Sequence, residues 1–588
     1  MTRRRARFFA VIAALLAATL VSGCATIPTR GPVEAAPGFQ SERDVGVQVA
    51  PEPPQPHSSP RTVVEGFLQA MSNYQPGYHI ARQYLTEDVA ESWRPESQVL
   101  IYADGYSVAT TPESATLTAP LYGRIGPDGS FSRMDRTLKL DFGLQRNAEG
   151  EWRISRPPDG VVMTQYTFDN FYDSVNTYFF DSSFARLVPN PILLPRSNRT
   201  PTTLLQSLLR GPSEWLRPVV ASAVPPQTRL NVQSASVDSE GVVDLSLTED
   251  VLALDEERRT LMVTQMLVTL QQLPEVTGIR ISVNGEPFPV SEQDARGVVP
   301  IDAAEGLAPK EPEKPEVFGL SDDGMVTVVT GPNGASLVPV PGPLADQPRA
   351  TMLAVNTDGT QGAVVSQDET TLVVAPFSGD SSDVVVNNYT DLLRPDYVGA
   401  SPSEVWFVGD RDGRQRIGMH DGKRTVAVDN HLTSNGRIIN FAIAPDGVRF
   451  AAIRESATGR RELGIGLIDR SGSGPAVGHW RALSMADPGQ PEELVGVDVG
   501  WISDTHLAVL VSDRSEPTGQ RRIIRIDDSA SRFTDVGQSE EWDVDALATD
   551  VEDGTVRAAV TGDGAWHFND GTHWSKLSPE LRAVAYPG

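Results

Sequence analysis

Residues 440–454 read NFAIAPDGVRFAAIR, an apolar run, a Pro-Asp-Gly turn and a second apolar run. Both runs are short and carry β-branched and aromatic side chains, which suits a pleated, half-buried surface. The turn residues supply a fixed φ and a left-handed backbone position, as a tight reversal requires. This is a β-hairpin, and its grammar recurs on both sides. Apolar runs at 352–356, 405–408, 497–501 and 546–548 lead into Asp358-Gly359, Asp412-Gly413, Ser503-Asp504 and Asp553-Gly554. Second runs follow most of these turns, at 362–365, 507–511 and 556–560. Intervals of roughly 45 to 55 residues suit one four-stranded propeller blade each. The stretch 316–588 is therefore read as an all-β propeller of five or six blades, with a pair of β-sandwiches as the alternative.

Upstream the pattern changes. Ser59-Pro60 reads as a helix N-cap with proline in the first turn, and Val63, Val64, Phe67, Leu68 and Met71 share one helical face. A short helix is expected around 80–85, with Trp93 in the core. A period of two then takes over at Leu138, Leu140, Phe142 and Leu144, and Trp152 and Ile154 follow the turn at 147–150. Helices followed by a curved antiparallel sheet define an α+β unit over 60–160, whose order resembles the cone-shaped fold of nuclear transport factor two. A second α+β unit is placed at 170–300. It has strands near 175–180, 187–189, 230–237 and 242–247, a helix carrying Leu204, Leu205, Leu208 and Leu209, another carrying Val263, Met266, Leu267 and Leu270, and an Asn284-Gly285 hairpin. The proline-rich, charged linker 301–315 separates it from the propeller.

The first 23 residues look like an export signal. Arg3, Arg4, Arg5 and Arg7 precede the apolar stretch FFAVIAALLAATL at 8–20. Leu20-Val21-Ser22-Gly23-Cys24 then resembles a bacterial lipobox. That resemblance implies cleavage between Gly23 and Cys24, a diacylglycerol thioether on the Cys24 thiol and N-acylation of the new terminus, palmitate being the expected acyl type. Residues 24–59 hold recurrent prolines without apolar periodicity and read as a tether, able to extend up to about 100 Å at ~3.1 Å per residue.

Composition narrows the partners. The chain has 588 residues, 50 basic and 77 acidic, for a net charge of -27. Such a balance argues against nucleic acid, whose phosphates need a basic face, and favours a basic face on any protein partner. The single cysteine excludes an intramolecular disulfide and a Cys-rich zinc site. No catalytic residue, metal ligand or cofactor motif emerges. Glu65, His79 and Asp88 read as solvated or locally bonded, Glu249-Asp250 and Asp322-Asp323 as turns, and Ser471 to Gly474 as a flexible loop. Asp410 to Gly413 begins like a calcium loop but lacks the later ligands. His567 and His573 straddle a turn and are expected to face each other beside Trp566 and Trp574, and two imidazoles alone make no zinc site.

Two resemblances organise these readings. Phe179-Phe180, Leu187-Val188-Pro189, Leu208 to Pro212, Val243 to Ser246 and Val283-Asn284-Gly285 resemble the GerMN domain, a cell-envelope binding module. The order of lipobox, tether, α+β unit, GerMN-like unit and propeller resembles the actinobacterial lipoprotein family LpqB. What that family implies is a non-enzymatic protein, lipid-anchored at the extracytoplasmic face of the cell membrane. It would bind the extracellular domain of the sensor kinase MtrB and influence the MtrA and MtrB two-component system in envelope homeostasis and division. From the residues alone, a cell-wall glycan binder and an envelope-processing enzyme stay open as rivals.

Overall fold

The computed structural model describes residues 50–588, apart from 305–316 and shorter stretches at 112, 198–199, 233–234, 332–333, 346–348, 400, 487–493, 515–520, 537–543, 552–556, 563 and 569–573. Gly23 and Cys24, the tether up to 49, the linker 305–316 and His573 lie outside the described residues.

The first domain begins with helix Pro60–Ser72, capped by the Ser59 hydroxyl, which accepts from the Thr62 amide at 3.2 Å. Its buried face packs on a sheet ordered Trp152–Ile154, Phe131–Arg146, Ser114–Ile125, Val99–Tyr102, Val161–Thr164. Two expectations are corrected. The sheet is not wholly antiparallel, because Val99–Tyr102 and Val161–Thr164 run parallel. The core also passes the expected limit at 160: Val161, Val162 and Met163, then Phe168 and Tyr172 around helix Gln165–Phe171, belong to it. Aromatic rings fill the cone, with Phe67 lying 5.5 Å from Trp93 and 6.3 Å from Phe142.

Strand Tyr172–Asp181 leads into the second domain and pairs with Leu187–Pro195. There Val242–Leu247 and Gly278–Val283 run parallel, joined by helix Glu256–Gln271, a crossover that buries Met262, Met266, Leu267 and Leu270. The expected strand over 230–237 shrinks to Ser236–Val237 plus one bridge from Leu230 to Leu247. Asn284 and Gly285 both have positive φ, 53° and 83°, as a two-residue hairpin turn requires.

Among the described residues the propeller has six four-stranded blades. Blade 1 holds Val317–Ser321, Gly324–Gly331 and Gly334–Pro339, and its innermost strand is the chain's last, Ala583–Ala585, paired on Val317–Ser321. This closure by distant ends decides between the five and six blades expected from the sequence. The innermost strands of blades 2 to 6 are Ala350–Val355, Asp396–Val398, Arg437–Ile443, Leu494–Ser503 and Val544–Asp550. The run 405–408 belongs to the second strand of blade 3, Ser401–Arg411. The outer strands of blades 3 and 4 also pair in parallel, Asp429 with Ala476 and Asn430 with Val477, fusing those blades into one eight-stranded sheet.

Candidate functional site

Two polar constellations stand out, one on the propeller axis and one where the three domains meet. Neither was singled out from sequence.

On the axis, Arg394 precedes the inner strand of blade 3 and reaches across to blades 5 and 6. Its guanidinium forks onto Asp498, Nη2 to Oδ1 at 3.1 Å and Nη1 to Oδ2 at 3.2 Å, and also donates to the Leu547 carbonyl. Asp498 accepts further from the Val499 amide at 2.7 Å and the Leu547 amide at 2.6 Å. Asp396 is a second buried carboxyl, accepting from the Ile443 amide of blade 4 at 2.6 Å. Burial pushes it up to about 7, with the Asp498 charge adding to the shift and Arg394 opposing it. Burial also raises Asp498, against the pull of Arg394. The axial cavity beside these groups is about 70 Å³, room for a few waters and well below the ~300–1,000 Å³ of a typical small-molecule pocket.

The junction grows out of the hairpin quoted at the outset. Asp446 and Gly447 make its turn, Gly447 at φ 72°, and Arg449 starts its second strand. Arg449 is fully buried. Its Nε and Nη2 bind Asp446 Oδ2 at 3.0 and 2.5 Å, and its Nη1 binds Asp528 Oδ2 of blade 5 at 2.6 Å. Burial opposes its charge, but Asp446 and Asp528 outweigh that and hold it above the ordinary arginine range. Beside it Arg481 donates to the Asp528 carbonyl and lies 3.9 Å over the ring of Trp215, which the second domain inserts. Trp215 Nε1 donates to the His479 carbonyl at 2.7 Å. Val188, Leu216 and Val219 of the second domain pack on Val448 and Leu467 of blade 4.

The first domain docks on the same side. Arg532 donates to the Tyr172 carbonyl at 2.9 Å and the Phe168 carbonyl at 3.2 Å, its guanidinium 4.7 Å from the Phe168 ring. The Tyr122 hydroxyl donates to the Ser531 carbonyl, and Arg133 to the Ala486 carbonyl. Arg186 of the second domain donates to the Ser401 hydroxyl at 2.6 Å.

The residues weighed from sequence go elsewhere. Glu65 pairs with Arg61 on the surface at 2.9 Å, while His79 and Asp88 are exposed on separate short helices. Glu249 and Asp250 open a 3-10 turn, and Asp250 accepts from the Thr248 hydroxyl at 2.8 Å. Asp412 and Gly413 form a hairpin turn with φ of 53° and 71°, and Asp410 pairs with Arg437 at 2.6 Å. His567 stands opposite Ser575 in the strand register. No group of three potential metal ligands occurs among the described residues. The one sequence signal for the junction was an arginine inside an otherwise apolar run, Val448-Arg449-Phe450-Ala451.

Comparison with known proteins places these domains. Residues 53–169 match the family described as "Lipoprotein LpqB, N-terminal domain", residues 176–288 match "Sporulation and spore germination", and residues 324–587 match "Lipoprotein LpqB beta-propeller domain". Among solved structures, the first GerMN domain of GerM from Bacillus subtilis is 21% identical over 22% of this chain and 92% of its own, with a TM-score of 0.18. The Lipoprotein LpqB of Streptomyces coelicolor is 28% identical over 100% of this chain and 98% of its own. That of Cutibacterium acnes is 30% identical over 97% of each. Since two domains match LpqB family models and the Cutibacterium acnes relative is 30% identical over 97% of each chain, the chain belongs to the LpqB lipoprotein family.

Proposed function

We propose that this protein is a non-enzymatic binding protein, lipid-anchored through Cys24 at the extracytoplasmic face of the membrane. It docks on the extracellular domain of an MtrB-like sensor kinase and modulates its signalling. The observation that carries the non-enzymatic part is the engagement of the axial carboxylates. A glycan hydrolase needs two carboxyl groups facing a substrate. Here Asp498 is held by Arg394 and two amides, and Asp396 by the Ile443 amide. The large surfaces of three docked domains are then the resource the molecule offers. Anchoring confines it and a membrane kinase to one plane, which raises their effective concentration, so a modest contact suffices.

The test is response-regulator phosphorylation in cells carrying the wild type, a deletion, and Cys24→Ala at matched expression. Both variants should shift the output, and Cys24→Ala should lose a metabolic lipid label, since no other thiol exists. Unchanged output in both overturns the regulator reading. Release of soluble fragments from purified cell wall by the protein would overturn the non-enzymatic one.

A further inference from the structure

In each blade the turns joining first to second and third to fourth strands emerge on one face of the disc. The turn joining second to third strands emerges on the other, as an antiparallel meander dictates. The chain docks its own N-terminal domains through the first face and its rim: Ser401 and Val448 follow first strands, and Ser531 and Arg532 lie in a third-to-fourth turn. Arg133 also reaches the Ala486 carbonyl in the connector after the fourth strand of blade 4, and none of the docking contacts involves a second-to-third turn.

On that opposite face blades 3 and 4 present a strip of arginines. The blade 3 turn reads RDGRQR at 411–416. Arg411 and Arg414 are register partners, Arg416 follows on the same side of the strand, and all three are exposed. Arg437 leads into blade 4, binding Asp410 at 2.6 Å and Asp391 at 3.6 Å, and its register partner is Glu455. Arg461 binds Glu455 at 2.9 Å, and Arg460 is exposed at the tip beside it. Asp410, Asp391 and Glu455 are thus each held by an arginine, while Arg411 and Arg414 sit at the tip of their hairpin, Arg411 4.0 Å from the exposed Asp412 carboxylate between them.

We infer that this face of blades 3 and 4 is the docking surface for the partner, and that it takes an acidic segment of a protein. The inference rests on the binding-protein reading above and reverses the charge that the net value of -27 suggests for the partner. Local charge decides because charges farther apart than ~8 Å are largely screened at physiological salt. Guanidinium forks match carboxylates in fixed geometry. The interspersed acids favour a protein with its own charge pattern over a uniformly anionic lipid surface, which draws polybasic patches.

The test uses the full lipidated chain in its own cells, with a photocrosslinking residue at exposed Thr458, or at exposed Lys423 on the other face as control. The expected result is a protein adduct from 458, absent from 423, whose contact peptide is acidic. The adduct should fall roughly tenfold in Arg411→Gln/Arg414→Gln/Arg460→Gln, at unchanged melting temperature, and stay within about twofold in Lys423→Gln/Arg424→Gln. No adduct at 458, a lipid adduct there, a neutral or basic contact peptide, or an adduct that the triple variant leaves intact each overturns the proposed surface. An adduct meeting every expectation, but to a protein that is not a sensor kinase, keeps the surface and overturns the kinase reading.

Discussion

Arg449 shows how one residue joins the parts. It lies in a hairpin strand, fully buried, between Asp446 of its own turn and Asp528 of the next blade. Replacing it with methionine leaves the buried Asp446 without its counter-ion and Asp528 with Arg481 alone, a change that typically costs about 3–5 kcal/mol. Arg449→Met is therefore expected to fold poorly or melt far below the wild type, as circular dichroism against temperature will report. Asp396 behaves in the opposite sense. Its carboxyl is raised to about 7 in the fold, above the unfolded value, so the native state holds the extra proton between about pH 4 and 7. Stability from this group is present below that window and is lost as pH rises through it. Asp396→Asn, which keeps an acceptor for the Ile443 amide, should raise the melting temperature by a few degrees at pH near 8 and leave it unchanged near pH 4. An equal shift at both pH values would show that burial of the charge is not the cause.

Among the elements, the tether and the linker differ more than their shared proline content suggests. The last tether residues are not free of the fold, because the Tyr84 hydroxyl donates to the Glu52 carbonyl at 2.8 Å. Limited proteolysis should therefore cut first upstream of residue 50 and within EGLAPKEPEKPE at 305–316, and spare 51–59. Mass spectrometry of the fragments checks this, and early cleavage between 51 and 59 would show that the contact does not hold. The blades themselves were legible because each hairpin is local: an apolar run, a turn and a second run need no distant partner to be recognised. What stayed open was the count, five or six, because the strand that completes blade 1 beside Val317–Ser321 lies at the far end of the chain.

For the whole molecule, the junction makes one body from three domains. Trp215 and Arg532 are its two anchors, one reaching from the second domain into blade 4, the other from blade 5 onto the first domain. A calorimetric scan of the wild type should give one cooperative transition. Trp215→Ala/Arg532→Ala should split or broaden it, because each domain keeps its own core while the shared interface is lost. A single unbroadened transition in the double variant would mean that coupling runs through other contacts.

By itself the sequence determined the three-part order, the helix faces, the hairpin turns and the GerMN-like segment, because periodicity, caps and turn residues act over a few neighbouring positions. It also carries, at 20–24, a stretch that resembles a lipobox. Only the tertiary structure decided that Arg394, Asp396 and Asp498 meet on an axis, that Arg449 is an interior residue rather than a surface one, and that Tyr84 ties down the tether's end. Those pairings join positions tens to hundreds of residues apart, and charge, burial and distance become defined there only when the ring has closed and the domains have docked.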